Sequence, residues 1–201
     1  KMVTIPGAGG TKGAKEAQKA KADGCTLFAI HQSVLVNNIM GSLKFNWDAF
    51  DTVAMVTDTP EIIGAGGHVP YNDLKGMLAA AKANPGKILT GVSFGATSHL
   101  LWILLGSKTG TSFKYVPFQG GTAGRIKGMR SKAVDLGGIN MAAAQGQKKD
   151  GTLKAFAIAA DKRSPLVPDL PTLKELGVDM NFSLTRGVVV PKGTSKDKIE
   201  H

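Results

Sequence analysis

The feature that most constrains this chain is a short apolar run, a small polar turn and a helix-like segment, met twice in its middle. The first instance is Ser93-Phe94-Gly95-Ala96-Thr97-Ser98-His99-Leu100-Leu101, between an apolar run at 87–92 and another at 100–105. The second is Val116-Pro117-Phe118-Gln119-Gly120-Gly121-Thr122-Ala123. Each reads as a strand, a turn and a helix N-terminus. Chains built of such units fold as α/β layers, with a mostly parallel sheet covered on both faces. A helix N-terminus leaves backbone N–H groups free and carries the positive end of the helix dipole, and Ser and Thr hydroxyls add donors. Both turns therefore suit a carboxylate or phosphate, and two such starts on parallel strands point into one crevice. Capping alone also explains a single turn of this kind.

The rest of the chain repeats the alternation. Residues 3–5 read as a strand, 6–10 as a glycine-rich turn, 12–21 as a helix with alanines inside and lysines outside, and 25–30 as a strand. A polar bend at His31-Gln32-Ser33, a loop through Gly41-Ser42 and a strand at 52–56 follow. The cluster Gly64, Gly66 and Gly67 marks a linker or domain crossing. Helices are expected at 72–83, 97–107, 122–130 and 172–176, and strands at 88–92, 113–116, 134–136, 153–159 and 188–190. The opening in a strand, and a closing run at 195–200 that reads as the start of another helix, give the look of a chain cut at both ends.

Composition narrows the function classes. With 201 residues, 42% hydrophobic and 20% charged, the chain has enough material for a sizeable core and the balance of a soluble globular protein. No apolar run approaches the roughly 20 residues that cross a bilayer, so no membrane insertion is expected. The net charge of +10 raises nucleic acid as a partner. The lysines and arginines are scattered as singles and pairs such as Lys148-Lys149, without a basic stripe interleaved with aromatics, so no nucleic-acid role is read. A basic surface concentrates small anions equally well. Cys25 is the only cysteine, which excludes an intrachain disulfide and a thiolate zinc cluster.

Catalytic, metal and cofactor signals are absent. The histidines at 31, 68, 99 and 201 form no HExxH pair, and there is no GxSxG elbow or paired carboxylate. His99, on the first turn of its helix, serves a ligand or packing; Trp47 and Trp102 read as core. Pro6-Gly7-Ala8-Gly9-Gly10-Thr11-Lys12-Gly13 superficially suits a dinucleotide-binding loop, which makes a nucleotide-binding α/β enzyme the alternative reading. The acidic residue such a loop wants about 20 positions on is Asp23, which sits in an Asp-Gly turn instead. Tight turning explains these glycines more simply.

The motifs occur in an order that resembles one family. Pro6-Gly7-Ala8-Gly9-Gly10-Thr11, Asp23-Gly24-Cys25-Thr26-Leu27, Asn84-Pro85-Gly86-Lys87, the turn from Ser93 to Leu100 and Val116-Pro117-Phe118-Gln119-Gly120 come first. Arg163-Ser164-Pro165, Pro168-Asp169-Leu170-Pro171-Thr172, Glu175 and Gly177 complete the series. It is similar to the Bug or TctC family, the substrate-binding receptors of tripartite tricarboxylate transporters. The resemblance implies a two-lobed, type II (Venus flytrap-like) periplasmic binding protein of α/β class with an incomplete first lobe. Residues 1–63 plus 185–201 would form the first lobe and 64–184 the second. It also implies a monomeric, non-enzymatic, cofactor-free receptor that delivers a small carboxylate or dicarboxylate to a membrane permease. Carried over, the second-lobe ligand contacts are Ser93, Gly95, Ala96, Thr97 and Ser98, with Gly121, Thr122 and Asn140. His31, Gln32 and Ser33 belong to the first lobe. The chain departs from the family in lacking its opening strand, proline-glycine loop and C-terminal helices. Cys25 replaces an aromatic, and Arg186 stands where the family often carries Trp, which makes Arg186 a candidate bidentate partner for an acidic ligand.

Overall fold

The structure, a computed structural model, describes residues 1–5, 10–118 and 120–200, and of residues 147–150 the backbone alone. The chain divides into two units. One comprises Lys1–Thr59, Gly95–Thr97 and Leu184–His201, the other Pro60–Phe94 and Ser98–Ser183.

The first unit carries α1 (Thr11–Lys19), β1 (Phe28–His31), α2 (Ser33–Ile39), β2 (Phe50–Pro60), β8 (Ser183–Pro191) and the short α7 (Lys196–Ile199). Alanine spacing puts Ala14 and Ala17 of α1 against Ile30, Val34, Leu43, Phe50 and Val189, which form the core of this unit. Phe28 and Phe45 pack on Phe50 with ring centroids 5.5 and 6.0 Å away. β8 lies between β1 and β2, and its antiparallel register sets Phe28 against Val189 and His31 against Arg186. Residues 3–5 are exposed and enter no sheet among the described residues, so the strand expected there is not formed. The turn expected at 6–10 lies, apart from Gly10, outside the described residues. α2 follows directly on the expected bend, which turns at Gln32; its run of Val and Asn has low intrinsic helix preference, and buried Val34 and Val36 stabilise it by packing.

The second unit is a five-stranded sheet in the order β5-β4-β6-β3-β7, formed by β3 (Ile62–Gly66), β4 (Leu89–Val92), β5 (Lys114–Pro117), β6 (Leu136–Ile139) and β7 (Leu153–Ile158). α3 (Leu74–Ala83), α4 (Thr97–Thr109), α5 (Gly121–Arg130) and α6 (Met141–Asp150) alternate with these strands. β4 pairs in parallel with β5 and β6, as the alternation dictates. β3, however, pairs antiparallel with both β6 and β7, so the sheet is mixed and not mostly parallel. β4, α4 and β5, and β5, α5 and β6, follow the rule that strands joined through a crossover helix run in parallel; β3, although joined to β4 through α3, runs opposite to it, and nothing in its composition encodes that direction.

Both sheet faces are covered. Ile63, Leu101, Trp102, Leu105 and Phe156 belong to one core, Ile62, Met129, Ile139 and Ile158 to another, as alternation along a doubly buried strand requires. The glycines at 64, 66 and 67 follow shortly after the crossing between the units at Thr59 and Pro60 but do not themselves form a linker. Gly64 lies in β3, where an added Cβ would stand 2.7 Å from Ile139, and one at Gly67 would meet the Gly151 carbonyl oxygen. Close backbone approach demands them. The helix expected at 172–176 is a single turn closed by a reciprocal pair: Thr172 N–H donates to Glu175 Oε2 at 2.7 Å, and Glu175 N–H donates to Thr172 Oγ1 at 3.0 Å. Arg163 Nε adds a bond to Glu175 Oε1 at 2.9 Å. No helix of the described residues is long and apolar enough to cross a membrane.

The glycines give a paired prediction. Gly67→Ala forces two backbones apart and lowers unfolding free energy by about 1–3 kcal/mol. Gly146→Ala, in α6 with open space at the position, raises it by about 0.5–1 kcal/mol. Urea unfolding of both variants checks the contrast.

Candidate functional site

The parallel register of β5-β4-β6 brings the C-terminal ends of three adjacent strands to one edge of the second unit's sheet. Each strand then hands the chain to a helix: β4 to α4, β5 to α5, β6 to α6. The first N–H groups of every helix lack an intrahelical acceptor, so this edge collects backbone donors. The start of α5 is open. Its N-cap is Gly120, left-handed at φ 81°, with no side-chain cap, and Gly121 follows at φ 60° with open space where a side chain would be. At α6 one donor is already satisfied, because Ala143 N–H donates to Asn140 Oδ1 at 2.9 Å.

The hydroxyls in the β4–α4 turn have defined partners. Ser98 Oγ accepts from Ser93 N–H at 3.0 Å, and Ser93 Oγ donates to the Phe118 carbonyl at 3.0 Å, joining the β4 and β5 turns. Ser93 is therefore not the free donor that its residue type suggests, and a further partner finds only its lone pairs. Thr122 Oγ1 accepts from Arg125 Nη2 at 3.1 Å, and Arg125 Nε donates to the Gly138 carbonyl at 3.2 Å. Burial pushes the Arg125 guanidinium below its ordinary pKa, and the charge of Glu61 opposes that shift.

Ser93, Ser98, Gly121, Thr122 and Asn140 thus share one sheet edge, whereas Gly95, Ala96 and Thr97 group with the first unit. There Gly95, at φ 73°, lies beside Asn37 Oδ1 and Met40 Sδ. His99 is a packing residue. Its ring stands edge-on between Phe94 and Tyr115, with centroids 4.9 and 4.8 Å away, and burial lowers its pKa.

In the first unit, His31, Gln32 and Ser33 stand where β1 meets α2, and Arg186 faces His31 across the β1–β8 ladder. Ser33 N–H donates to His31 Nδ1 at 3.1 Å, which makes Nδ1 an acceptor. Gln32 Nε2 donates to Thr185 Oγ1 at 3.2 Å, and that hydroxyl donates to Asp58 Oδ1 at 3.3 Å. Arg186 is exposed and has no ion-pair partner among the described residues.

Sequence reasoning passed over Arg125. A lone arginine on a helix carries no motif; its three-residue spacing from Thr122 was the available signal. The Pro6–Gly13 loop lies largely outside the described residues. A concavity of about 400 Å³ elsewhere in the second unit, lined by Leu166, Val167, Leu170, Phe156 and Asp73, contains none of these residues. Its acidic and apolar lining is ill suited to an anion. No cluster of three or more His, Cys, Asp or Glu among the described residues would hold a metal ion.

Comparison with known proteins places these features in context. The model of the tripartite tricarboxylate transporter family receptor, TctC, matches residues 3–201. BugT of Bordetella pertussis is 31% identical over 201 residues, covering 94% of this chain and 59% of that protein. A UPF0065 protein of Cupriavidus necator is 32% identical over 204 residues, with 94% and 58% covered. The chain thus spans under two thirds of these relatives' length. Among solved structures, MatC of Rhodopseudomonas palustris with bound malate matches at 28% identity and a TM-score of 0.85, over 96% of this chain and 67% of its own. The periplasmic binding protein BugD matches at 31% and 0.82, over 96% and 66%. A Rhodopseudomonas palustris protein with adipate matches at 25% and 0.82, over 94% and 65%.

The half-buried His31 imidazole supplies a pH prediction. Burial first, and then the Arg186 charge, holds His31 below its ordinary value of 6.5. The unfolded chain therefore takes up the proton first, so stability is level above about 6.5 and declines as pH falls through that value. Protonation also removes the acceptor for Ser33 N–H. His31→Gln should flatten the decline in melting temperature between about pH 7 and pH 5, and an unchanged slope would contradict the assignment.

Proposed function

Because the chain belongs to the tripartite tricarboxylate transporter receptor family and has the α/β fold of periplasmic binding proteins, we propose that it is an extracytoplasmic receptor. It captures a small carboxylate or dicarboxylate and delivers it to a membrane permease, without catalysing a reaction. The carrying observation is the edge at which β4, β5 and β6 end, with the uncapped α5 terminus beside the hydroxyl-bearing β4–α4 turn. Such a surface offers donors and no carboxylate of its own. A helix terminus favours an anion by about 0.3–1 kcal/mol, and up to about 2 kcal/mol where partly buried. Two structural relatives described with malate and adipate fit the same chemistry.

In this reading Ser93, Ser98, Gly121, Thr122 and Asn140 form the second-lobe contacts, and Gly95, Ala96 and Thr97, expected with them, contribute from the part of the turn that groups with the first unit. His31, Gln32, Ser33 and Arg186 form the first-lobe contacts, and the lobes are the expected 1–63 plus 185–201 and 64–184, with residues 60–63 moved to the second because β3 belongs to its sheet. Arg186, exposed and free of an ion pair among the described residues, is the residue suited to grip a second carboxylate bidentately.

A thermal-shift screen against malate, succinate, adipate, glucose, ATP, NAD and an oligonucleotide tests the proposal. Ligand at about 100 times its Kd adds roughly 2.7 kcal/mol of stability, so a carboxylate that binds raises the melting temperature by several degrees. Stabilisation by ATP or NAD alone would favour the nucleotide-binding enzyme, and by the oligonucleotide alone a nucleic-acid binder.

A further inference from the structure

Two charged side chains are buried close to the α5 terminus, Arg125 on α5 and Glu61 beside β3, each 4% exposed. The Arg125 guanidinium is held on β6 by the Gly138 carbonyl and reaches back one turn to Thr122 Oγ1. Glu61 is its electrostatic counterpart. Room for that carboxylate comes from Gly138, where an added Cβ would stand 2.7 Å from Glu61 Oε2. The guanidinium is thus anchored on the sheet, and its bond to Thr122 crosses from the sheet to the first turn of the helix.

A hydroxyl has one proton and two lone pairs. On Thr122 one lone pair is filled by Arg125, so the proton is left to seek an acceptor elsewhere. Ser98 is in the same condition, because it accepts from Ser93 N–H. Ser93 is the reverse, its proton committed to the Phe118 carbonyl. The protein has therefore sorted its hydroxyls before any ligand arrives. An ionised carboxylate accepts hydrogen bonds and donates none, whereas a primary amide turns an NH2 group toward the same donors.

We propose that Arg125 is a positioning residue: by occupying a lone pair of Thr122 Oγ1 it aims that hydroxyl's proton at the ligand, so the site prefers a terminal carboxylate to the matching amide. The inference rests on the carboxylate-receptor reading above and adds to it the group that enforces the choice.

The test is calorimetric titration of the purified protein with succinate, malate and adipate and with the monoamide of each. The wild type should bind at least one diacid about 10-fold or more tighter than its monoamide, the scale of one charge-assisted hydrogen bond. Arg125→Met alone removes a cation whose charge acts on the buried Glu61 carboxylate, so the working variant is Arg125→Met with Glu61→Gln, its folding checked by melting temperature. In it the diacid-to-monoamide ratio should shrink to about 3-fold or less, as in Thr122→Val, while Thr122→Ser keeps the wild-type ratio. A folded double variant with the wild-type ratio overturns the role of Arg125 and leaves the receptor reading standing. If the double variant does not fold, an unchanged ratio in Thr122→Val overturns the proposal instead. Wild-type protein that binds no carboxylate at all removes both.

Discussion

The parallel pairing of β4 with β5 on one side and β6 on the other is the constraint on which the rest of the second unit depends. It fixes the direction of three strands, so that three helices start at one edge of the sheet. It also demands small residues where α5 lies on those strands. A Cβ at Gly128 would run into the Phe118 ring, and one at Gly91 would meet Val134, Phe118 and Arg125 within 3.7 Å. Backbone and side chain approach so closely here that substitution is felt at once, as in any interior packed to crystal-like density.

A charged pair is buried within that close packing. Arg125 and Glu61 each lose hydration on burial, at an effective cost of several kcal/mol per ion, and attraction between them offsets it only with good additional hydrogen bonds. Arg125 has two that are well defined, to Gly138 and Thr122. A pair of this kind is poor evidence for stability and better evidence for the placement of what it touches, which is the first turn of α5. In the first unit His31 is held neutral by burial and by Arg186, so the one exposed charge of that cross-strand pair is the guanidinium.

Local chemistry made much of this legible in the sequence. Asp73 ahead of α3 caps Gly76 N–H at 2.7 Å, and Thr172 with Glu175 forms the reciprocal cap that its spacing announces. The turns after β4 and β5 are where hydroxyls and glycines indicated. The family relation was readable from ordered motifs, because turns and caps need particular residue types at fixed spacings. The misreadings share a cause. α2 lacks the apolar periodicity that marks a helix, since tertiary packing supplies what propensity does not, and α6, rich in helix-forming Ala, Gln and Lys, offers too few apolar residues to show a period. The glycines at 64, 66 and 67 look the same in a hinge as in a crowded strand, and only their neighbours distinguish the two.

The sequence by itself determined the α/β alternation, the two hydroxyl-bearing helix starts and the family to which the chain belongs, because all three reside in contiguous residues. The tertiary structure decided the reversed direction of β3, the burial of Glu61 beside Arg125 and the engagement of Ser93 and His99 in packing and turn-joining bonds. Each of these joins residues distant along the chain. A hydroxyl's type says that it can donate; only its surroundings decide whether its proton is already committed.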